Sequence, residues 1–193
     1  GAQGGTADRE REARAGAAAL GLGEPEFWRL PDRSLERRDA GLRRGLRGAL
    51  ERYVPDVIFV TSPVEPHPDH RALALALQGV LRAATLAGLR RTPPDWVAAY
   101  EVGAPLRPNL LVAADEGWEA KRRAAACHAG QLTFRAYDRV MEALGTLRSL
   151  TLTGVEHAEA MHVLPARLVA RLSARGWAQR MGSPAGVAAQ RAR

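Results

Sequence analysis

The spacing of apolar residues changes several times along the chain, and each change marks an element. From Asp8 to Leu20 it is helical: Ala13, Ala17 and Leu20 form a small-residue face, Asp8 is placed as a cap and Leu20-Gly21 as the stop. Phe27-Trp28-Arg29-Leu30 predicts a short strand ended by Pro31-Asp32. Leu42, Leu46, Ala49 and Leu50 fall on one face of a helix from about Glu36 to Tyr53, which Pro55 ends. Asp56 to Thr61 is a continuous β-branched and aromatic run, as expected of a strand buried on both faces of a parallel sheet.

After a loop from Ser62 to Pro68, a third helix is predicted from about Asp69 to Leu86. Pro93-Pro94 marks a loop, Trp96 to Val102 a strand, and Asn109 to Val112 a short apolar run. Helices follow at about Glu116 to His128 and Ala136 to Arg148, then an extended stretch with a helical turn at Val155 to Val163. This alternation predicts an α/β fold with a mainly parallel sheet, in one domain over residues 5–165. Residues 166–193, rich in Arg, Ala and Gly, are expected to fray.

Composition narrows the reading. At 46% hydrophobic and 25% charged residues the chain is of ordinary globular type, and no apolar run approaches a membrane span. Gly1 to Thr6 has neither a basic nor an apolar leader region, so no signal peptide is expected. Cys127 is the single cysteine, which excludes an intrachain disulfide and a thiolate cluster and fits a cytoplasmic, reducing setting. The net charge of +7 comes from arginines spread from Arg9 to Arg193, and aromatics are only 5%. Nucleic-acid binders concentrate charge on one face, often with stacking aromatics, so no nucleic-acid partner is expected.

The chemistry concentrates in Glu65-Pro66-His67-Pro68-Asp69-His70, which follows the apolar strand and leads into a helix. In an open parallel sheet, sites form just beyond the carboxyl ends of strands. His70 falls in the first helical turn, where the helix dipole disfavours imidazolium and keeps the ring able to ligate a metal. Asp69 is placed either to cap that helix or to orient a neighbouring imidazole. Read alone, the loop is equally an N-cap with two solvated histidines. A catalytic zinc takes about three protein ligands, and this loop supplies at most two.

The order of several blocks resembles the PIG-L/LmbE-like zinc-dependent N-deacetylases. They are Arg9 and Glu12 before Leu20-Gly21, Phe27 to Asp32, His67-Pro68-Asp69-His70, Tyr100-Glu101, Pro108-Asn109, Lys121, His128, Gln131 and Ala158-Glu159-Ala160. The resemblance implies a Rossmann-like three-layer α/β sandwich with one Zn2+, acting on an N-acetylated amino sugar, a glycoconjugate or a related amide. It assigns His70 as a metal ligand, His67 as the oxyanion partner, Asp69 as its orienting carboxylate, and Arg9 and Asp32 as substrate-binding residues. Without the resemblance, Arg9 and Glu12 read as a helix-surface ion pair and Asp32 as a turn former. Lys121 and His128 are expected to be structural; His157 and His162 receive no role.

The family's remaining two ligands and its general base lie in an N-terminal His-Pro-Asp-Asp motif, which does not occur in these residues. Ala113 and Gly130 also stand where relatives commonly carry Asp and Ser. Two expectations follow. Either the chain is a fragment of an active enzyme, lacking its first strands, or it is an inactive carbohydrate-binding remnant. The persistence of His67, Asp69 and His70 favours the fragment.

Overall fold

A computed structural model describes residues 5–33, 35–36, 39–87 and 94–182. In chain order these form α1 (Thr6–Ala19), α2 (Ala40–Tyr53), β1 (Val57–Thr61), α3 (Pro68–Leu86), β2 (Trp96–Tyr100) and β3 (Leu110–Ala113). They continue with α4 (Asp115–Ala126), α5 (Ala129–Leu132), α6 (Tyr137–Ser149), β4 (Ala158–Pro165), α7 (Ala166–Arg171) and α8 (Ala174–Arg180). The strand order is β1-β2-β4-β3. β1 and β2 pair in parallel, Val57 opposite Trp96, whereas β2 and β4 are antiparallel, Trp96 opposite Pro165. The α/β expectation therefore holds with a mixed sheet flanked by helices, rather than a mainly parallel one.

The chain divides into two compact units. One contains the residues through Arg29 together with Leu111–Glu159, the other Leu30–Leu110 and the residues from Ala160 on. In the first unit, Gly5 is the N-cap of α1, and its N–H donates to the Asp8 carboxylate at 3.1 Å, so Asp8 reaches back from the first turn instead of standing as the cap. The stop is as expected: Gly21 takes a φ of 68°, and the Leu22 N–H donates to the Ala17 carbonyl at 2.9 Å. α1 packs on α4, and Trp118 of α4 is buried against Gly145 of α6.

The strand expected at Phe27 to Leu30 does not form. Arg29 has a φ of 51°, which no strand residue adopts, and its guanidinium binds the buried Glu10 carboxylate at 2.7 and 3.2 Å. A tertiary ion pair fixes this segment where local propensity suggested pairing.

The second unit is built around α3. Ala74, Leu77, Val80 and Leu81 join Val60, Val97, Leu164 and Val169 in one apolar core. β1 is buried on one side only: Ile58 and Val60 face this core, while Val57 and Phe59 are 42% and 60% exposed. The run Val57 to Val60 was expected to be covered on both faces; alternation sends its odd residues to an open face instead.

Up to Gly182 the basic tail is ordered rather than frayed. α7 and α8 place Val169, Trp177 and Met181 in the core. Gln78 donates to the Val169 and Leu172 carbonyls, both at 3.0 Å, and Arg82 donates to the Ala170 carbonyl at 2.8 Å, satisfying the C-terminal end of α7. Pro93 and residues 183–193 lie outside the described residues.

Candidate metal and substrate site

Local chemistry shapes the loop between β1 and α3. The Ser62 N–H donates to the Tyr100 carbonyl at 3.1 Å, and the Glu65 N–H donates to the Ser62 carbonyl at 3.2 Å, closing a turn. Arg71 then folds back and donates to the Glu65 and Pro66 carbonyls, both at 2.6 Å. The Thr61 hydroxyl donates to the His70 carbonyl at 2.9 Å, tying the first turn of α3 to the end of β1. With Pro66 and Pro68 limiting φ, the loop has little freedom left.

His67 is the N-cap of α3: its Nδ1 accepts the Asp69 N–H at 3.3 Å. The capping role considered for Asp69 therefore falls to His67. The Asp69 carboxylate accepts the Arg33 N–H at 2.6 Å and the Leu35 N–H at 3.1 Å, anchoring the segment that carries Asp32. As a result Asp32, His67 and Asp69 hold ligand atoms within 4.8 Å of one another, a group able to coordinate a metal ion. His70 stands beside it, its ring centroid 4.9 Å from that of His67. It belongs to no group of three donor side chains among the described residues.

The loop hides a residue that the sequence did not single out. Glu65 is 1% exposed, yet it is a carboxylate. Its Oε1 accepts the Val102 N–H at 2.8 Å, its Oε2 accepts the Gly103 N–H at 2.9 Å, and His70 Nδ1 lies 3.5 Å from Oε2. Burial pushes its pKa up, but the hydrogen bonds from His70, Val102 and Gly103 outweigh burial and hold it below the usual carboxylate range. The only local signal was a glutamate in an otherwise apolar and proline-rich turn; its partners lie 37 and 38 residues downstream.

Arg9 is placed on α1, in the first unit, whereas Asp32, His67, Asp69 and His70 all belong to the second. Glu12, its expected companion, accepts the Gly130 N–H at 2.8 Å. Lys121 reaches Glu159 at 2.5 Å and lies over the Trp118 ring. His157 stacks on Trp118 with ring centroids 4.3 Å apart, and the Nδ1 of His162 is 2.9 Å from the Arg107 carbonyl.

The chain is similar to known proteins in sequence and in fold. A family model described as PIG-L, GlcNAc-PI de-N-acetylase, matches residues 2–81, less than half of the chain. No curated protein sequence matches. Among solved structures, the conserved protein TT1542 from Thermus thermophilus is 26% identical, with a TM-score of 0.72 over 86% of this chain and 77% of that one. The N,N'-diacetylchitobiose deacetylase of Pyrococcus horikoshii gives 21% identity and a TM-score of 0.68 over 84% of this chain and 65% of that one. GalB, the 4-carboxy-2-hydroxymuconate hydratase of Pseudomonas putida KT2440, gives 25% and 0.67 over 82% and 71%.

The fold is thus LmbE-like. Asp32, His67 and Asp69 are a candidate metal-binding group, and the partial family match is to de-N-acetylases. A hydratase on the same fold shows that the reaction has to be argued from the site. Among the described residues no helix is long and apolar enough to cross a membrane.

Proposed function

We propose that this chain carries part of the active site of a zinc-dependent hydrolase that removes the acetyl group from an N-acetylated amino sugar or a related amide. The observation that supports it most is the setting of His70: a buried carboxylate lies 3.5 Å from Nδ1, and the side chain is 32% exposed. This is the usual support of a metal-ligating imidazole. An imidazole nitrogen is a ligand suited to zinc. His70 would hold the ion together with a His and an Asp from a His-Pro-Asp-Asp segment outside these residues, which also provides the general base.

The chemistry supplied by bound zinc is Lewis-acid polarisation of an amide carbonyl and activation of water near neutral pH. The residues of this chain do the rest. His67, with Nδ1 occupied by the Asp69 N–H, presents an Nε2–H to the carbonyl oxygen as negative charge develops there. Asp69 holds the segment with Asp32 beside His67, and Asp32 is the candidate contact for the sugar.

The test is a longer polypeptide that includes the His-Pro-Asp-Asp segment, assayed for acetate release from N-acetylglucosaminyl substrates. One zinc per chain and loss of activity in His70→Ala are expected; full activity in that variant sinks the assignment. A second reading, a binding module without catalysis, is favoured by the commitment of the Asp69 carboxylate to two backbone amides. Sugar binding that survives a chelator, with no acetate release, would establish it.

A further inference from the structure

Glu65 has a role beyond filling the loop. We infer that Glu65, seated against Gly103, is the positioning residue that fixes His70 in the Nδ1–H tautomer, with the Nε2 lone pair left for a ligand. The inference rests on the reading of His70 as a metal ligand only for what Nε2 binds. The tautomer itself follows from geometry.

Burying a carboxylate is tolerated only when its oxygens are satisfied by donors. Two backbone N–H groups bond Glu65, one on each oxygen, at 2.8 and 2.9 Å, and they are fixed by the turn after β2. That pins the carboxylate plane. The third neighbour is His70 Nδ1, 3.5 Å from Oε2. An ionised carboxylate only accepts, so the contact is attractive when Nδ1 carries the proton. His70 itself is held from the other side, by the Thr61 hydroxyl on its carbonyl and by its place in the first turn of α3. The carboxylate is therefore fixed by backbone N–H groups, and the main chain that carries the His70 ring is fixed by Thr61 and α3.

Gly103 completes the seat. A Cβ built there would lie 3.3 Å from Glu65 Oε2 and 3.6 Å from a Pro66 ring carbon. Oε2 is the oxygen that faces His70, so a side chain at 103 would press on the pair itself.

Glutamine is the discriminating replacement. It offers one acceptor oxygen where two backbone N–H groups require two, and it removes the charge that favours Nδ1–H. Its NH2 meets the Val102 N–H in one orientation, and in the other it meets the Gly103 N–H and donates to His70 Nδ1. The second outcome moves the His70 proton to Nε2 and blocks it as a ligand.

The test is long-range 1H–15N correlation of the histidine rings in the metal-free chain, at a pH where the rings are neutral. Wild type is expected to show His70 protonated at Nδ1. Glu65→Gln is expected to lose that state, with the fold monitored by circular dichroism. Gly103→Ala, which keeps the charge and shifts its position, should lower the Nδ1–H fraction and serves where Glu65→Gln does not fold. His70 protonated at Nε2 in wild type overturns the inference, as does an unchanged tautomer in a folded Glu65→Gln.

A zinc titration of the longer polypeptide that includes the His-Pro-Asp-Asp segment, followed at the His70 ring nitrogens, separates this from the metal reading. Weakening by about 10–100-fold in Glu65→Gln is the size expected for loss of such a partner. If zinc leaves His70 Nε2 unmoved while Nδ1–H is in place, the tautomer inference stands and the metal assignment fails.

Discussion

The Asp69 carboxylate accepts the backbone N–H of Arg33 at 2.6 Å across 36 residues of sequence. With the Leu35 N–H on its other oxygen, it holds a segment that has no regular structure of its own. Hydrogen bonds to a charged group are worth about 1.5–3 kcal/mol. Asp69→Ala should cost about that much in urea unfolding and speed hydrogen exchange at the Arg33 and Leu35 amides. Asp69→Asn keeps one acceptor and should cost about half as much. Unchanged exchange at both amides in Asp69→Ala would show that the anchor does not hold the segment.

Gly145 reverses a common rule. Replacing a mid-helix glycine by alanine ordinarily stabilises by about 0.5–1 kcal/mol. Here the added Cβ would sit 2.3 Å from the ring of Trp118, itself 2% exposed. Overpacking of this kind costs about 1–3 kcal/mol, so Gly145→Ala is expected to lower the unfolding midpoint. A midpoint equal to or above wild type would show that the ring has room to move.

Glu142 carries a pH dependence. The Arg122 guanidinium hydrogen-bonds it at 2.7 and 3.0 Å and, with the Trp118 N–H, holds its pKa at about 2 against an ordinary 4.5, despite burial acting the other way. A depressed acid stabilises the folded state above its unfolded pKa and loses that contribution as pH falls through the folded value. Stability should therefore decline between about pH 4.5 and pH 2 through this group, and Glu142→Gln should flatten that part of the curve. The side chain is 36% exposed, so solvent screening keeps the effect modest. Parallel curves for the two proteins would exclude it.

Val54 ends α2 with a φ of 42°, a left-handed conformation that a β-branched residue adopts at a cost. The side chain is 41% exposed, so little burial offsets the strain. Val54→Gly is expected to stabilise by about 1 kcal/mol, read from the urea midpoint. A destabilised variant would mean that the contacts of Val54 outweigh its backbone.

Elements set by local signals were legible in the sequence. The stop of α1 at Leu20-Gly21, the strand ending at Thr61 and the helix opening at the His67 loop all stand within a residue or two of expectation. What failed depended on distant partners. Glu10 draws Arg29 out of any strand, and Gln78 and Arg82 satisfy the end of α7 from another helix. Composition alone made that region look frayed. The site was half legible. The histidine loop stood out by its chemistry, but Glu65 acquires meaning only when the turn after β2 brings Val102 and Gly103 to it. The grouping of Asp32 with His67 was equally invisible, since it depends on the hold of Asp69 on Arg33 and Leu35.

The bare space at Gly103 also has an evolutionary consequence. A Cβ there would meet the oxygen of Glu65 that faces His70, so positions 65 and 103 are not free to vary independently. Lineages that keep an acid at the first should keep glycine at the second. Once the acid is lost, the second position is released to accept any small side chain. Paired change at two sites 38 residues apart would then serve as a record of which descendants still keep the histidine between them poised for a ligand.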